Sequence, residues 1–185
     1  VYSLWYTDPA TISWSEITDP DIASKQVVML QEANGRLFVA AASSSTPYTY
    51  SLYYSNPAPS FDHSDLGKTV QAPILDVVHD GTSYWVIAGN ELFKGPEAAL
   101  VQDTTVPAST NPFGGLLWYS TRIYLSSEDG KLHVYEGKWT SSGSDPVKID
   151  GKAVRFTKFV GLPDGELFVG TKGYGYYRLP AGGIG

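Results

Sequence analysis

The residues of this chain best suited to chemistry are carboxylates set among apolar strands and rings. Cleavage of a glycosidic bond needs two of them, about 5 Å apart for retention or about 6.5–9.5 Å for inversion. Asp76 sits inside Ile74-Leu75-Asp76-Val77-Val78-His79, an unusually apolar setting for a carboxylate, and Glu32 closes the run that begins at Val27. These two are the candidate acid/base pair of a glycan-active enzyme, a glycosidase or lyase. Asp80 is a third candidate carboxylate, and two of the three have a structural alternative: Asp76 would bond the backbone of a neighbouring repeat unit, and Asp80 would form a turn.

Aromatic side chains are the other resource, with 13 Tyr and 5 Trp in 185 residues. Tryptophans stack on sugars or anchor protein contacts. Trp85 and Trp118 lie within apolar runs and read as core, whereas Trp14 and Trp139 have Ser and Thr neighbours and are the surface candidates for ligand binding, together with His79. A sialidase-like site would add three converging arginines, and Arg36, Arg122, Arg155 and Arg178 are the whole supply. Arg36 and Arg122 both precede an apolar strand, which suggests a repeat position rather than a triad.

Other chemistries lack their residues. With no cysteine, thiol catalysis, disulfides and thiolate-bound zinc are excluded. His63, His79 and His133 lie on different units, and alternation along a strand sends Asp62 and His63 to opposite faces, so no metal site is expected. No Gly-x-Ser-x-Gly elbow occurs. Gly170, Gly173 and Gly175 precede no helix that could supply an anion-binding N-terminus, so they read as hairpin glycines and no cofactor is expected. The net charge of −6 disfavours nucleic acid and anionic membranes as partners, and no run approaches the roughly 18 apolar residues of a membrane span. A protein or glycan ligand is the expected partner.

The elements that must position these residues are strands. Nothing holds apolar residues at i, i+3, i+4, i+7 over three turns; short apolar runs bounded by Gly, Pro, Asn and Asp fill the chain. They repeat. Predicted strands at Val27–Gln31, Leu37–Ala42, Tyr50–Ser55 and Phe61–Asp65 form one unit; Ile74–Val78, Ser83–Ala88, Glu91–Lys94 and Ala99–Gln102 form the next. A third runs through Gly115–Tyr119, Arg122–Ser126, Leu132–Glu136 and Val147–Ile149, and a fourth has only Val154–Gly161, Glu166–Thr171 and Gly175–Leu179. The period, about 40–47 residues, is that of four-stranded propeller blades.

Patterning separates a propeller from the alternative, a β-sandwich. Strands with one wet face alternate, whereas strands covered on both faces read as apolar runs. Leu37-Phe38-Val39-Ala40-Ala41-Ala42 and Trp85-Val86-Ile87-Ala88 are such runs, while Phe61-Asp62-His63-Ser64-Asp65 is polar as an outer rim should be. The sequence therefore predicts an all-β single domain over 1–185: a propeller of about four four-stranded blades, or a segment of a larger one. Tyr2-Ser3-Leu4-Trp5-Tyr6-Thr7 matches the third-strand phrase Tyr50-Ser51-Leu52-Tyr53-Tyr54-Ser55, with Ser13–Ile17 as a fourth strand, so the chain is expected to start and end mid-blade.

The phrase Leu167-Phe168-Val169-Gly170-Thr171-Lys172-Gly173-Tyr174-Gly175-Tyr176-Tyr177-Arg178 resembles the repeat unit of bacterial-type propellers of the BNR and two-component-sensor classes. The resemblance covers one unit well and the others loosely. It implies an extracytoplasmic recognition or sensor domain, with sialidase-like glycosidases as an enzymatic branch. The Asp-box of BNR repeats has no match, since Ser127-Glu128-Asp129-Gly130 places its glycine one position early. The expected function is a non-catalytic propeller domain for ligand or protein binding. A glycan-active enzyme and a structural unit that completes a ring with a partner are the alternatives.

Overall fold

The computed structural model describes residues 5–8, 13–55, 60–141 and 147–179. Nearly all regular structure in it is antiparallel strand. A hairpin of β1 (Trp5–Asp8) and β2 (Ser13–Glu16) leads through a single helical turn, α1 (Pro20–Ala23), into the first four-stranded sheet. That sheet runs in sequence order through β3 (Gln26–Ala33), β4 (Arg36–Ala42), β5 (Tyr50–Ser55) and β6 (Phe61–Ser64). The second sheet is β7 (Ile74–His79), β8 (Tyr84–Ala88), β9 (Glu91–Gly95) and β10 (Val101–Gln102), and the third is β11 (Phe113–Tyr119), β12 (Arg122–Ser127), β13 (Leu132–Tyr135) and β14 (Trp139–Ser141). A small hairpin of β15 (Lys148–Ile149) and β16 (Lys152–Ala153) follows, and then a last sheet of β17 (Phe156–Gly161), β18 (Leu167–Thr171) and β19 (Gly175–Leu179).

Burial on both faces explains the apolar runs. On β8, Tyr84, Val86 and Ala88 join Phe38, Ala40, Leu52 and Val77 in the core between the first two sheets. The alternate residues Trp85 and Ile87 join Leu116, Ile123 and Leu125 in the core between the second and third. A third joint packs Tyr124, Leu132 and Val134 against Phe156, Phe159 and Val169. On the far side of the first sheet, Ile17 and Ile22 cover Val39, Ala41, Tyr53 and Phe61. The middle strands of the three four-stranded sheets thus feed two cores, and period 2 survives there as a choice between cores rather than between core and water. Close approach of the third and last sheets needs Gly114: a Cβ there would lie 2.2 Å from the Phe156 carbonyl oxygen.

Three expectations need correction. The fourth strand of the third unit is Trp139–Ser141 rather than Val147–Ile149, because Gly137 (φ 75°) turns the chain straight back onto β13; Lys148–Ile149 instead pairs with Lys152–Ala153. The Ala99–Gln102 strand shrinks to Val101–Gln102. A helical turn at Pro20–Ala23 was not expected, being shorter than the three-turn periodicity the sequence lacks, and its signal was Asp19-Pro20: the Asp19 carboxylate accepts from Asp21 N–H (3.0 Å) and proline holds the first helical position. Tyr2–Leu4 lie outside the described residues.

His133 on β13 is 2% exposed; its Nδ1 pairs with the Ser141 hydroxyl at 2.8 Å and its Nε2 has no partner. Burial lowers its pKa below the ordinary 6.5, opposed by the Asp129 carboxylate and assisted by the Lys131 ammonium. The folded protein therefore carries this ring neutral at pH values where the unfolded chain protonates it. Its contribution is complete above about pH 6.5 and is lost as pH falls through the lowered folded value. Urea unfolding from pH 8 to pH 5 is expected to show stability falling below pH 6.5, and His133→Asn to flatten that slope; an unchanged slope in the variant would assign it to other groups.

Candidate functional site

Polar side chains converge where the first strands of the first two sheets end. The β3–β4 hairpin turns through Asn34 and Gly35, both at positive φ (52° and 74°), the geometry of a two-residue primed turn. Glu32 stabilises this turn: its Oε1 accepts the Gly35 N–H at 2.7 Å. The β7–β8 turn is longer and is organised by Asp80, whose Oδ1 accepts Thr82 and Ser83 N–H (both 2.8 Å) while Oδ2 accepts the Trp85 indole N–H (2.7 Å). Burial pushes the Asp80 carboxyl up, yet the bonds from Ser83, Trp85 and Thr82 and the Lys94 charge outweigh it and hold it below the usual carboxylate range. His79 Nδ1 accepts the Gly81 N–H at 3.1 Å, so in the neutral ring the proton resides on Nε2. Its ring packs on Tyr84 (4.5 Å), and Asn34 Nδ2 donates to the Tyr84 hydroxyl at 3.4 Å, which ties the two turns together.

Between these turns and the end of β11 lies a cleft of about 380 Å³ lined by Gln31, Glu32, Asn34, Val78, His79 and Trp118. It brings together two residues singled out by sequence, Glu32 and His79. Sequence reasoning missed Gln31 and Asn34 and assigned Trp118 wholly to the core, although its half-buried ring serves both core and cleft. The Asn34-Gly35 dipeptide was the available signal.

Asp76 does not line the cleft. It is 1% exposed, and its Oδ2 accepts the Leu116 N–H of the neighbouring sheet at 2.9 Å. Its Oδ1 accepts the Lys158 ammonium of the last sheet at 2.9 Å and the Val77 N–H at 3.2 Å. Lys158 also donates to Gln31 Oε1 on β3 at 3.4 Å. One carboxylate thus joins strands of three sheets directly and a fourth through Lys158, which occupies its lone pairs and leaves Glu32 without a second carboxylate in the cleft.

The remaining candidates sit elsewhere. Trp139 is half-buried at the joint of the second and third sheets, edge-on to Trp85 (6.0 Å), with its indole N–H donated to Asp103 at 3.2 Å. The ring faces in this cluster have a resident cation: Lys94 lies 4.3 Å from the Trp85 centroid and 5.1 Å from that of Tyr135. Trp14 lies on β2, and its side chain is outside the described residues. His63 packs against Tyr53 on the outer strands. The four arginines do not converge. Arg36 pairs with Glu97 (3.3 Å), Arg122 with Glu136 (3.1 Å), Arg155 with Glu128 (3.0 Å) and Arg178 with Glu166.

Replacing Asp76 by alanine leaves the Leu116 N–H buried without its partner and is expected to destabilise the fold by about 1–3 kcal/mol. Lys158→Met should cost less, because the Lys158 head group is 55% exposed, so water can take its place at Asp76 Oδ1 while both backbone N–H bonds to the carboxylate remain. Chemical denaturation of both variants checks the order; equal or inverted losses would place the main contribution on the ion pair instead.

No protein-family model and no curated protein matches this chain. Solved structures do. An extracellular domain from B. thetaiotaomicron, described as that of a one-component system, superposes on 95% of this chain with a TM-score of 0.68 at 12% identity. This chain spans only 25% of that one. The computationally designed Ika4 protein matches 86% of the chain, and 92% of its own, with a TM-score of 0.57 at 12% identity. A B. thetaiotaomicron extracellular domain described as belonging to a hybrid two-component system gives a TM-score of 0.52 at 13% identity over 98% of this chain and 29% of its own. The protein is similar in fold to extracellular domains described as belonging to one-component and hybrid two-component systems.

Proposed function

We propose that this chain is a non-catalytic, propeller-type binding module of an extracytoplasmic protein, and that it takes its ligand in the cleft beside the β3–β4 and β7–β8 turns. The observation that carries this reading is the convergence of Gln31, Glu32, Asn34, His79 and Trp118 on one concavity. A few placed polar groups around an aromatic ring are what a ligand site needs. Support for the propeller plan comes from the succession of four-stranded meanders and from Asp76, which gathers the first strands of successive sheets around one point. Support for the sensor context comes from the fold of the B. thetaiotaomicron domains. Glycan cleavage is the weaker reading, because the second carboxylate is consumed structurally and the arginines are paired on separate strands.

Protein-observed NMR with a small-molecule fragment set is expected to shift the Asn34, His79 and Trp118 resonances together, and His79→Ala or Trp118→Ala to abolish the response. Nitrophenyl glycosides are expected to remain intact. Turnover that disappears in Glu32→Gln would establish the enzyme and overturn the binding reading.

A second reading has its own observation. Val28 and Leu30 on β3, Val160 on β17 and Tyr176 on β19 are 41%, 50%, 56% and 71% exposed, so the first and last sheets carry apolar residues on their outer flanks. Large exposed apolar patches mark interaction sites. Assembly through these flanks with a second copy would add one more joint of the kind already present between the sheets. Sedimentation equilibrium should then show association that Val160→Glu abolishes; a monomer across the accessible concentrations would exclude it.

A further inference from the structure

The charge of the cleft points to one class of ligand. Among its lining residues are a carboxylate, two amides, an imidazole and an indole, and no lysine or arginine. Lys158, which reaches Gln31 beside the cleft, has its charge matched by Asp76. The nearby Asp80 is held ionised by its hydrogen bonds, and the whole chain carries −6. Glu32 contributes one carboxylate oxygen to the Gly35 N–H, which leaves the other with its acceptor capacity. Asn34 donates one amide N–H to the Tyr84 hydroxyl, an orientation that leaves its side-chain carbonyl oxygen available as an acceptor. An anionic guest would meet a carboxylate with no cation of the cleft to offset it.

We propose that the cleft binds a cationic amine, an ammonium or guanidinium group. This deepens the binding reading above and rests on it. Glu32 supplies the opposing charge, the Asn34 carbonyl a second acceptor, and the Trp118 ring a cation–π surface. The same structure shows that combination of ring and cation at Lys94 over Trp85. The free polyamine and the lysine side chain of a peptide share this chemistry.

The test uses spermidine, the N-acetylated peptide acetyl-Gly-Lys-Gly, whose one cation is the lysine side chain, and, as a neutral control, maltose, each titrated into the protein with NMR and tryptophan fluorescence as readouts. Expected are shifts at Asn34, His79 and Trp118 with spermidine, the peptide or both, weakened by added salt. Glu32→Gln keeps an acceptor for Gly35 and so preserves the turn; it is expected to weaken amine binding about tenfold. Glu91→Gln removes a carboxylate at the β8–β9 turn, the other end of β8, and should change affinity less than twofold. Response to the peptide alone identifies a side chain as the source, and response to spermidine identifies a free amine. Equal weakening by the two variants, or no shift at the cleft with either amine, overturns the proposal. Binding of maltose at the cleft without the amines overturns it too while leaving the cleft a binding site; thermal unfolding of both variants confirms that they are folded.

Discussion

The arrangement of sheets depends on one buried carboxylate. Asp76 sits in the middle of β7, where every neighbouring position is apolar, and a charge there is tolerated only because its oxygens are occupied by two backbone N–H groups and an ammonium. The partners come from different sheets: Leu116 from the third and Lys158 from the last. Apolar joints between sheets are non-directional and would accept a range of splay angles. A hydrogen bond of 2.9 Å does not, so Asp76 converts packed layers into a fixed fan. Because Lys158 also reaches Gln31, the same node fixes the strand that carries one wall of the cleft.

The cleft follows from that fan. First strands held together at their middles must end close to one another, and the turns that follow them crowd around the same space. Tyr84 shows the coupling: it is buried in the first joint, its ring backs His79, and its hydroxyl receives Asn34. Side chains on turns are ordinarily mobile. Here each is restrained by a bond within its own turn, Glu32 to Gly35 and His79 to Gly81, so the walls of the cleft are held in place by the fold itself.

The all-β class, most strand positions and two-sided burial were legible in the sequence because each is a property of local pattern. The runs Leu37–Ala42 and Tyr84–Ala88 announced their double cores without any reference to distant residues. Elements set by a single turn were less legible: Gly137 redirected the chain into β14, and Asp19-Pro20 nucleated a helical turn shorter than any periodic window detects. The structural alternative for Asp76 could be named from its apolar setting, but its partners could not, since Leu116 lies 40 residues away and offers a backbone group that no side-chain pattern reveals. Trp139 shows the reverse failure. Its polar sequence neighbours are exposed, while the ring itself turns inward onto Trp85.

The register of the hairpins shows how the cleft draws different residue types from equivalent positions. The residue two places before the end of the first strand is Gln31 on β3, Val77 on β7, Leu117 on β11 and Phe159 on β17, paired across the ladder with Phe38, Val86, Tyr124 and Val169. Only the first of these four is polar. One position further, Glu32, Val78, Trp118 and Val160 are equivalent, and at the last position Ala33, His79, Tyr119 and Gly161. The four first strands therefore each pair antiparallel with the strand that follows and differ in chemistry at their ends. Gln31 and Glu32 come from the first unit, His79 from the second and Trp118 from the third, each at a place where its counterparts are different in kind. A cleft assembled in this way has no single sequence signature, because the apolar strand positions build the sheet joints while the strand ends that differ from sheet to sheet line the cleft.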